Sequence, residues 1–213
     1  MKPKLIIFDG EGVLYDARKA MKIFEREYDK FLKRFGTSFK EQEKLWLKLY
    51  PKISTGKISL RKANEIVYRK LGIPVSKVSE WLRKDREINL KYIRLNKNVK
   101  KTLLKIKKLG IKVAILSDTV QPLRWRLELF KKFGLVKGKH YDKLFLSRLI
   151  GYEKPHPRAY LKVLNYFKVK PEEAIFVGHD RAEMEGARKL KIKPMTFSEL
   201  KKSLTHRFLF KNK

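Results

Sequence analysis

The chain contains no cysteine, which excludes disulfides, zinc–thiolate sites and thiol catalysis. It also lacks any apolar run approaching the length of a membrane span. After Met1-Lys2-Pro3-Lys4 only four consecutive apolar positions precede Asp9, too few for a secretory signal. These features lead us to expect a cytoplasmic protein with no membrane partner. Internal repeats are absent as well. Acids are scarce, with 22 Asp and Glu against 54 Lys and Arg, a formal net charge of +32. Such a surface attracts polyanions, nucleic acid among them, or steers small anionic substrates. Lysine enrichment accompanies heat adaptation, but thermophilic ion-pair networks also need Glu, and here acids are few. The lysines are spread along the whole chain with no compact arm or nucleic-acid motif, which favours a compositional bias over a dedicated binding tail.

What is present is enough for a folded core. The 213 residues are 43% hydrophobic, in the range of globular proteins. Leu5 to Phe8 reads as a buried strand ending at Asp9, and Gly10 and Gly12 allow a tight turn behind it. Met21, Phe24, Tyr28, Phe31, Leu32 and Phe35 recur at helical spacing, stopped by Gly36. Further helices are predicted over Glu41 to Tyr50, ended by Pro51, over Ile58 to Leu71 with Ser59 as cap, and from Ser76 to Lys91. So long a helical run without a strand suits an inserted subdomain better than a simple crossover. From Val99 onward helices and strands alternate. Strands are predicted at Ile111–Leu116, Leu144–Leu146 and Ala174–Val177, with an edge strand at Pro194–Phe197; His206 to Lys213 reads as a basic tail. This pattern predicts an α/β fold, a parallel Rossmann-like sheet with helices on both faces. The expected organisation is a core of residues 1–15 and 94–213 carrying a helical cap of residues 16–93.

Four polar clusters fall at or after predicted strand ends, where open α/β sheets bind ligands. They are Asp9/Glu11, Ser117/Asp118, Lys154 in Gly151-Tyr152-Glu153-Lys154-Pro155, and Asp180/Glu183. A nucleophilic carboxylate, a hydroxyl, a cation and further acids form a coherent set for phosphoryl transfer, whose charge lies on phosphoryl oxygens. Singly these residues have plainer readings. Ser117 could cap a helix, Lys154 is one lysine among many, and Asp118 suits backbone support. His140, His156 and His206 read as surface residues. Trp46, Trp81 and Trp125 read as packing anchors on helices, unless Trp46 or Trp81 faces the cleft beneath the cap.

Taken in order, Ile115-Leu116-Ser117-Asp118-Thr119, Ser147 through Pro155, and Ala174-Ile175-Phe176-Val177-Gly178 with Glu183-Met184-Glu185-Gly186-Ala187 resemble the haloacid dehalogenase-like hydrolase superfamily. The resemblance spans nearly the whole chain, including a helical cap between the first and second motifs. It implies a phosphatase for a small phosphorylated metabolite. Asp9 would form an aspartyl-phosphate, and Glu11 would protonate the leaving oxygen and then activate water. Ser117 would hold a phosphate oxygen, and Lys154 would neutralise charge between nucleophile and phosphoryl group. Mg2+, or Mn2+ or another divalent ion, would be held by Asp9, the main-chain carbonyl of Glu11 and the acids Asp180 and Glu183. Two positions depart from the pattern. Glu11 stands where such phosphatases carry Asp, one methylene shorter. His179 stands where the first metal-binding Asp is usual, and neutral imidazole suits transition metals better than hard magnesium. Asp180 is the expected replacement ligand. The competing expectation is a catalytically weakened relative that binds a polyanion such as RNA.

Overall fold

The computed structural model describes residues 2–206. Its centre is a five-stranded parallel sheet in the order β5-β4-β1-β6-β7. Here β1 is Leu5–Asp9, β4 Lys112–Ser117, β5 Lys143–Leu146, β6 Ala174–Val177 and β7 Lys193–Met195. The alternation of a strand's side chains divides the core in two. Ile6 and Phe8 face one layer, packed with helices α5 (Val99–Lys108), α6 (Leu123–Phe133) and α10 (Phe197–His206). Leu5 and Ile7 face the other, with α8 (Pro157–Phe167) and α9 (Arg181–Lys189). Being covered on both faces, β1 is apolar at every position before its terminal acid. The chain lays β4 and β5 on one side of β1 and then crosses to β6 and β7 on the other. The carboxyl end of β1 is therefore the topological switch point, and Asp9 stands on it.

Between β1 and β4 come helices α1 (Arg18–Lys33), α2 (Phe39–Ser54), α3 (Leu60–Lys70) and α4 (Val78–Tyr92). They close a third cluster of their own around Tyr28, Phe31, Leu32, Val67, Tyr68 and Trp81. The chain leaves and returns through a two-stranded antiparallel ladder, β2 (Tyr15–Asp16) with β3 (Arg94–Leu95). Ser59 caps α3 by accepting the Lys62 N–H, as its sequence position predicts. A short helix, α7 (Ser147–Ile150), follows β5.

Several boundaries differ from expectation. Pro51 does not end α2, which continues to Ser54. Pro51 and Leu47 both lie on the exposed side of α2, where the missing proline N–H costs less than it would in the core. His206 is the last residue of α10 rather than the start of a tail, and 207–213 lie outside the described residues. His140 is buried, not superficial; its Nδ1 accepts the Val136 N–H. His156 is exposed, as predicted, and its Nδ1 caps α8 by accepting the Arg158 N–H.

One buried acid lies within the helical unit. Asp85 on α4 accepts a hydrogen bond from Asn89 Nδ2 at 2.6 Å, and burial pushes its carboxyl up to about 7 against that bond and the nearby Arg126 charge. A raised carboxyl favours the folded state below the ordinary carboxylate range, and this contribution is lost as pH rises through about 7. Asp85→Asn, permanently neutral, should therefore match the wild type in thermal unfolding at about pH 4 and exceed it by a few kcal/mol, on the order of magnitude of the shift, at about pH 8. Parallel pH profiles of the two proteins would contradict this.

Candidate active site

The turn after β1 folds tightly because Leu14 and Tyr15 both donate their N–H groups to the Gly10 carbonyl. Its two glycines are needed for different reasons. Gly12 holds a φ of +76°, a left-handed conformation that a side chain resists. Gly10 has no such φ; a Cβ there would fall 2.5 Å from Ser117 Oγ, so its role is to let β4's last residue approach. Ser117 is buried, with its hydroxyl 3.4 Å from the Tyr15 hydroxyl.

Lys154 comes from the loop between α7 and α8 and reaches inward until its side chain is 1% exposed. Its Nζ donates to Asp9 Oδ1 at 2.6 Å and lies 3.3 Å from Glu183 Oε1 and 3.4 Å from Asp118 Oδ2. Asp118 also accepts the Lys154 main-chain N–H at 3.2 Å, the backbone support expected of it, which fixes the root of the lysine as well as its tip. Burial would lower the ammonium's pKa, but Asp9, Asp118 and Glu183 together raise it above the ordinary lysine range.

The acids respond differently to the same enclosure. Burial pushes the Asp9 carboxyl up, yet the His179 hydrogen bond, the Lys154 charge and bond, and the Gly10 N–H at 2.7 Å bring it below the ordinary aspartate range. Asp118 is raised to about 6 and Glu183 to about 7, each by burial that Lys154 only partly offsets. Glu183 Oε2 is buried without a partner. Glu11 opens onto the cavity above Asp9, whose walls desolvate it and raise its carboxyl against the charge of Arg126. The site thus pushes the two carboxyls apart, Asp9 below and Glu11 above their ordinary ranges.

Two neighbours hold roles that the sequence did not anticipate. Arg126 is a buried cation on the apolar stripe that Leu129, Phe130 and Phe133 continue along α6; it donates to the Tyr15 hydroxyl at 2.8 Å and to Thr119 Oγ1 at 2.9 Å. A cation at an apolar position of a helix was the signal available. His179 is the second. Its Nδ1 lies 3.3 Å from Asp9 Oδ2, and the bond to Asp9 raises the imidazole's pKa. The ring rests on Gly12, where a Cβ would come within 2.4 Å of Cε1. Asp180 is exposed and spends Oδ1 on the Glu183 N–H as the cap of α9.

This donor set can be compared with the needs of a divalent ion. Beside Asp9 Oδ2 stands an imidazole nitrogen, and among the described residues no three His, Asp or Glu side chains converge as a ligating group. Hard magnesium, which takes oxygen ligands, does not fit that pair; an imidazole nitrogen suits a transition ion better.

The haloacid dehalogenase-like hydrolase family model matches residues 3–191. The chain belongs to this family. A glyceraldehyde 3-phosphate phosphatase from Pyrococcus furiosus is 35% identical over 108 residues, half of this chain and 43% of that protein. One of the same name from Pyrococcus abyssi is 25% identical over 198 residues, 91% of this chain and 81% of its own length. In fold, this haloacid dehalogenase-like hydrolase is similar to a family enzyme of Bacteroides thetaiotaomicron solved with magnesium and inorganic phosphate. Their TM-score is 0.65 at 17% identity, over 91% of this chain and 93% of that one. A 2-haloacid dehalogenase of Pseudomonas syringae gives 0.67 at 15%, over 91% and 86%.

Lys154→Met would leave three enclosed carboxylates without their cation. Breaking a buried pair in this way costs about 3–5 kcal/mol, so urea unfolding at about pH 8 should show a loss of that order, shrinking at acid pH as the carboxyls protonate. A loss below about 1 kcal/mol, independent of pH, would refute the anchoring role of Lys154.

Proposed function

We propose that this hydrolase is a phosphomonoesterase acting on a small phosphorylated metabolite through an aspartyl-phosphate. The observation that carries the proposal is the division of labour between Asp9, kept ionised by Lys154, and Glu11, two residues on, whose carboxyl is raised. Two carboxyls pushed apart in this way suit a nucleophile and a general acid. The name of the Pyrococcus relatives, phosphatases of a three-carbon phosphate, supports the same reaction class.

In this mechanism Asp9 attacks phosphorus while the bond to the leaving oxygen breaks, and protonated Glu11 gives that oxygen its proton. Glu11, now a carboxylate, takes a proton from the water that attacks the phosphoaspartate, releasing inorganic phosphate and restoring Asp9. Ser117 would hold a phosphoryl oxygen from the end of β4. Lys154 offsets the negative charge that accumulates as two anions meet. A divalent ion held by Asp9 Oδ2, His179 Nδ1 and the Glu11 main-chain carbonyl would add charge neutralisation at the phosphoryl oxygens. The nitrogen donor favours cobalt, nickel or zinc over magnesium. Asp180 and Glu183 then act through the chain rather than on the ion, one capping α9 and the other facing Lys154.

Hydrolysis of p-nitrophenyl phosphate, assayed with magnesium, manganese, cobalt, nickel and zinc in turn, tests this directly. Wild-type turnover should be lost in Asp9→Asn, and the phosphorylation rate should fall as pH rises through the pKa of Glu11. Turnover unaffected by Asp9→Asn would remove the proposal. No turnover with any metal would favour a polyanion-binding relative.

His179→Asp replaces the imidazole by a carboxylate and should move the preferred metal to magnesium, read both in activity and in metal binding by calorimetry. An unchanged metal order would show that His179 does not touch the ion.

A further inference from the structure

A cavity of about 410 Å3 lies between the helical unit and the sheet, and Glu11 and Asp118 form its floor. It is therefore continuous with the place where the leaving group of a phosphate ester must sit. Its volume is in the range of pockets that enclose drug-sized ligands, far beyond the needs of a three-carbon chain. Its walls are rings: Phe24, Tyr28, Phe39, Trp46, Tyr50 and Trp81 all line it. Part of the polar wall is spent internally: Asn89 donates to Asp85 and accepts from Gln121 Nε2 at 2.9 Å, and Arg126 donates to Tyr15 and Thr119. Glu25, Gln42 and Glu43 also line the cavity. A short polyhydroxylated leaving group would still leave the ring-lined surface wet.

The rings are not equivalent. Trp81 is buried and stacked on Tyr28 with centroids 4.0 Å apart, so it belongs to the helical core while also lining the cavity. Trp46 on α2 is half-buried, packs against that core and, among the described residues, pairs with no other ring. A large aromatic side chain without a ring partner thus lines the cavity that Glu11 also lines. Aromatic faces in such positions bind flat rings by offset stacking, with gains beyond simple area burial.

We propose that the substrate is a phosphate monoester whose alcohol carries a flat aromatic or heteroaromatic ring, and that Trp46 is the platform on which this ring stacks. The proposal rests on the phosphatase reading for the reacting end, and it assigns the chemistry of the other end. Stacking of one ring on one aromatic side chain changes affinity by about tenfold or more.

The test separates the two ideas by using Asp9→Asn, in which binding is measured without turnover. 1-Naphthyl phosphate and glyceraldehyde 3-phosphate are titrated calorimetrically into that variant alone and combined with Trp46→Ala or Trp46→Phe. The expected result is naphthyl phosphate binding at least tenfold tighter than glyceraldehyde 3-phosphate. That preference should collapse with Trp46→Ala and persist with Trp46→Phe, which keeps a ring and controls for damage to the helical core. Equal binding of the two esters, or a preference that survives Trp46→Ala, overturns the proposal. If the ring preference is present but the wild type hydrolyses neither ester, the ring site stands and the phosphatase reading fails.

Discussion

The ammonium of Lys154, enclosed beside Asp9, Asp118 and Glu183, is the constraint around which the carboxyl edge of the sheet is arranged. A cation taken out of water is tolerable only when carboxylates surround it closely, and carboxylates so enclosed are tolerable only when it is there. The partners arrive from different places in the chain: Asp9 from the end of β1, Asp118 from the loop after β4, Glu183 from the first turn of α9 after β6, and Lys154 itself from the loop after α7. Four segments of the chain, joined by three crossovers, must therefore converge for any one of these charges to be accommodated. The order of the sheet, with β1 between β4 and β6, is what makes the convergence short-ranged.

The same enclosure sorts the acids by role. Asp9 receives the Lys154 and Gly10 donors on one oxygen and faces His179 with the other, and so stays ionised despite its burial. Glu11 lies just outside that group, where partial desolvation raises its carboxyl although the Arg126 and His179 charges lower it. Two acids two residues apart thus have their carboxyls shifted in opposite directions, one inside the shell of Lys154 and the other facing the cavity. The extra methylene of Glu11, relative to the Asp usual at this position, lets its carboxyl extend toward the space beneath the helical unit, where a leaving oxygen would lie.

Most of the sheet was legible because buried parallel strands are written as uninterrupted apolar runs; Ala174–Val177 is placed to the residue. The helices were legible from their stripes and from stops such as Gly36, which takes a left-handed conformation just past α1. Two-residue strands such as Tyr15–Asp16 carry too little pattern to be seen, and α10 lies in a segment whose lysines obscured its Leu200 and Leu204 anchors. At the site, Asp9 and Lys154 could be named from motif order, but their 2.6 Å contact bridges 145 positions and depends on the crossover geometry. Nor does the sequence show that His179 lies on Gly12 against Asp9, since adjacency of His179 and Asp180 leaves open which of them turns inward. Trp46 and Trp81 do line the cavity, the circumstance under which they cease to be packing residues alone.

Covalent phosphorylation of Asp9 is the step on which the proposed chemistry depends. The direct measurement is rapid acid quenching of the protein during turnover of a 32P-labelled ester, followed by peptide mapping. Label that is stable in acid, released by hydroxylamine and confined to the peptide containing Asp9 is the predicted result. Steady turnover with no label on that peptide, or label on another residue, would contradict it.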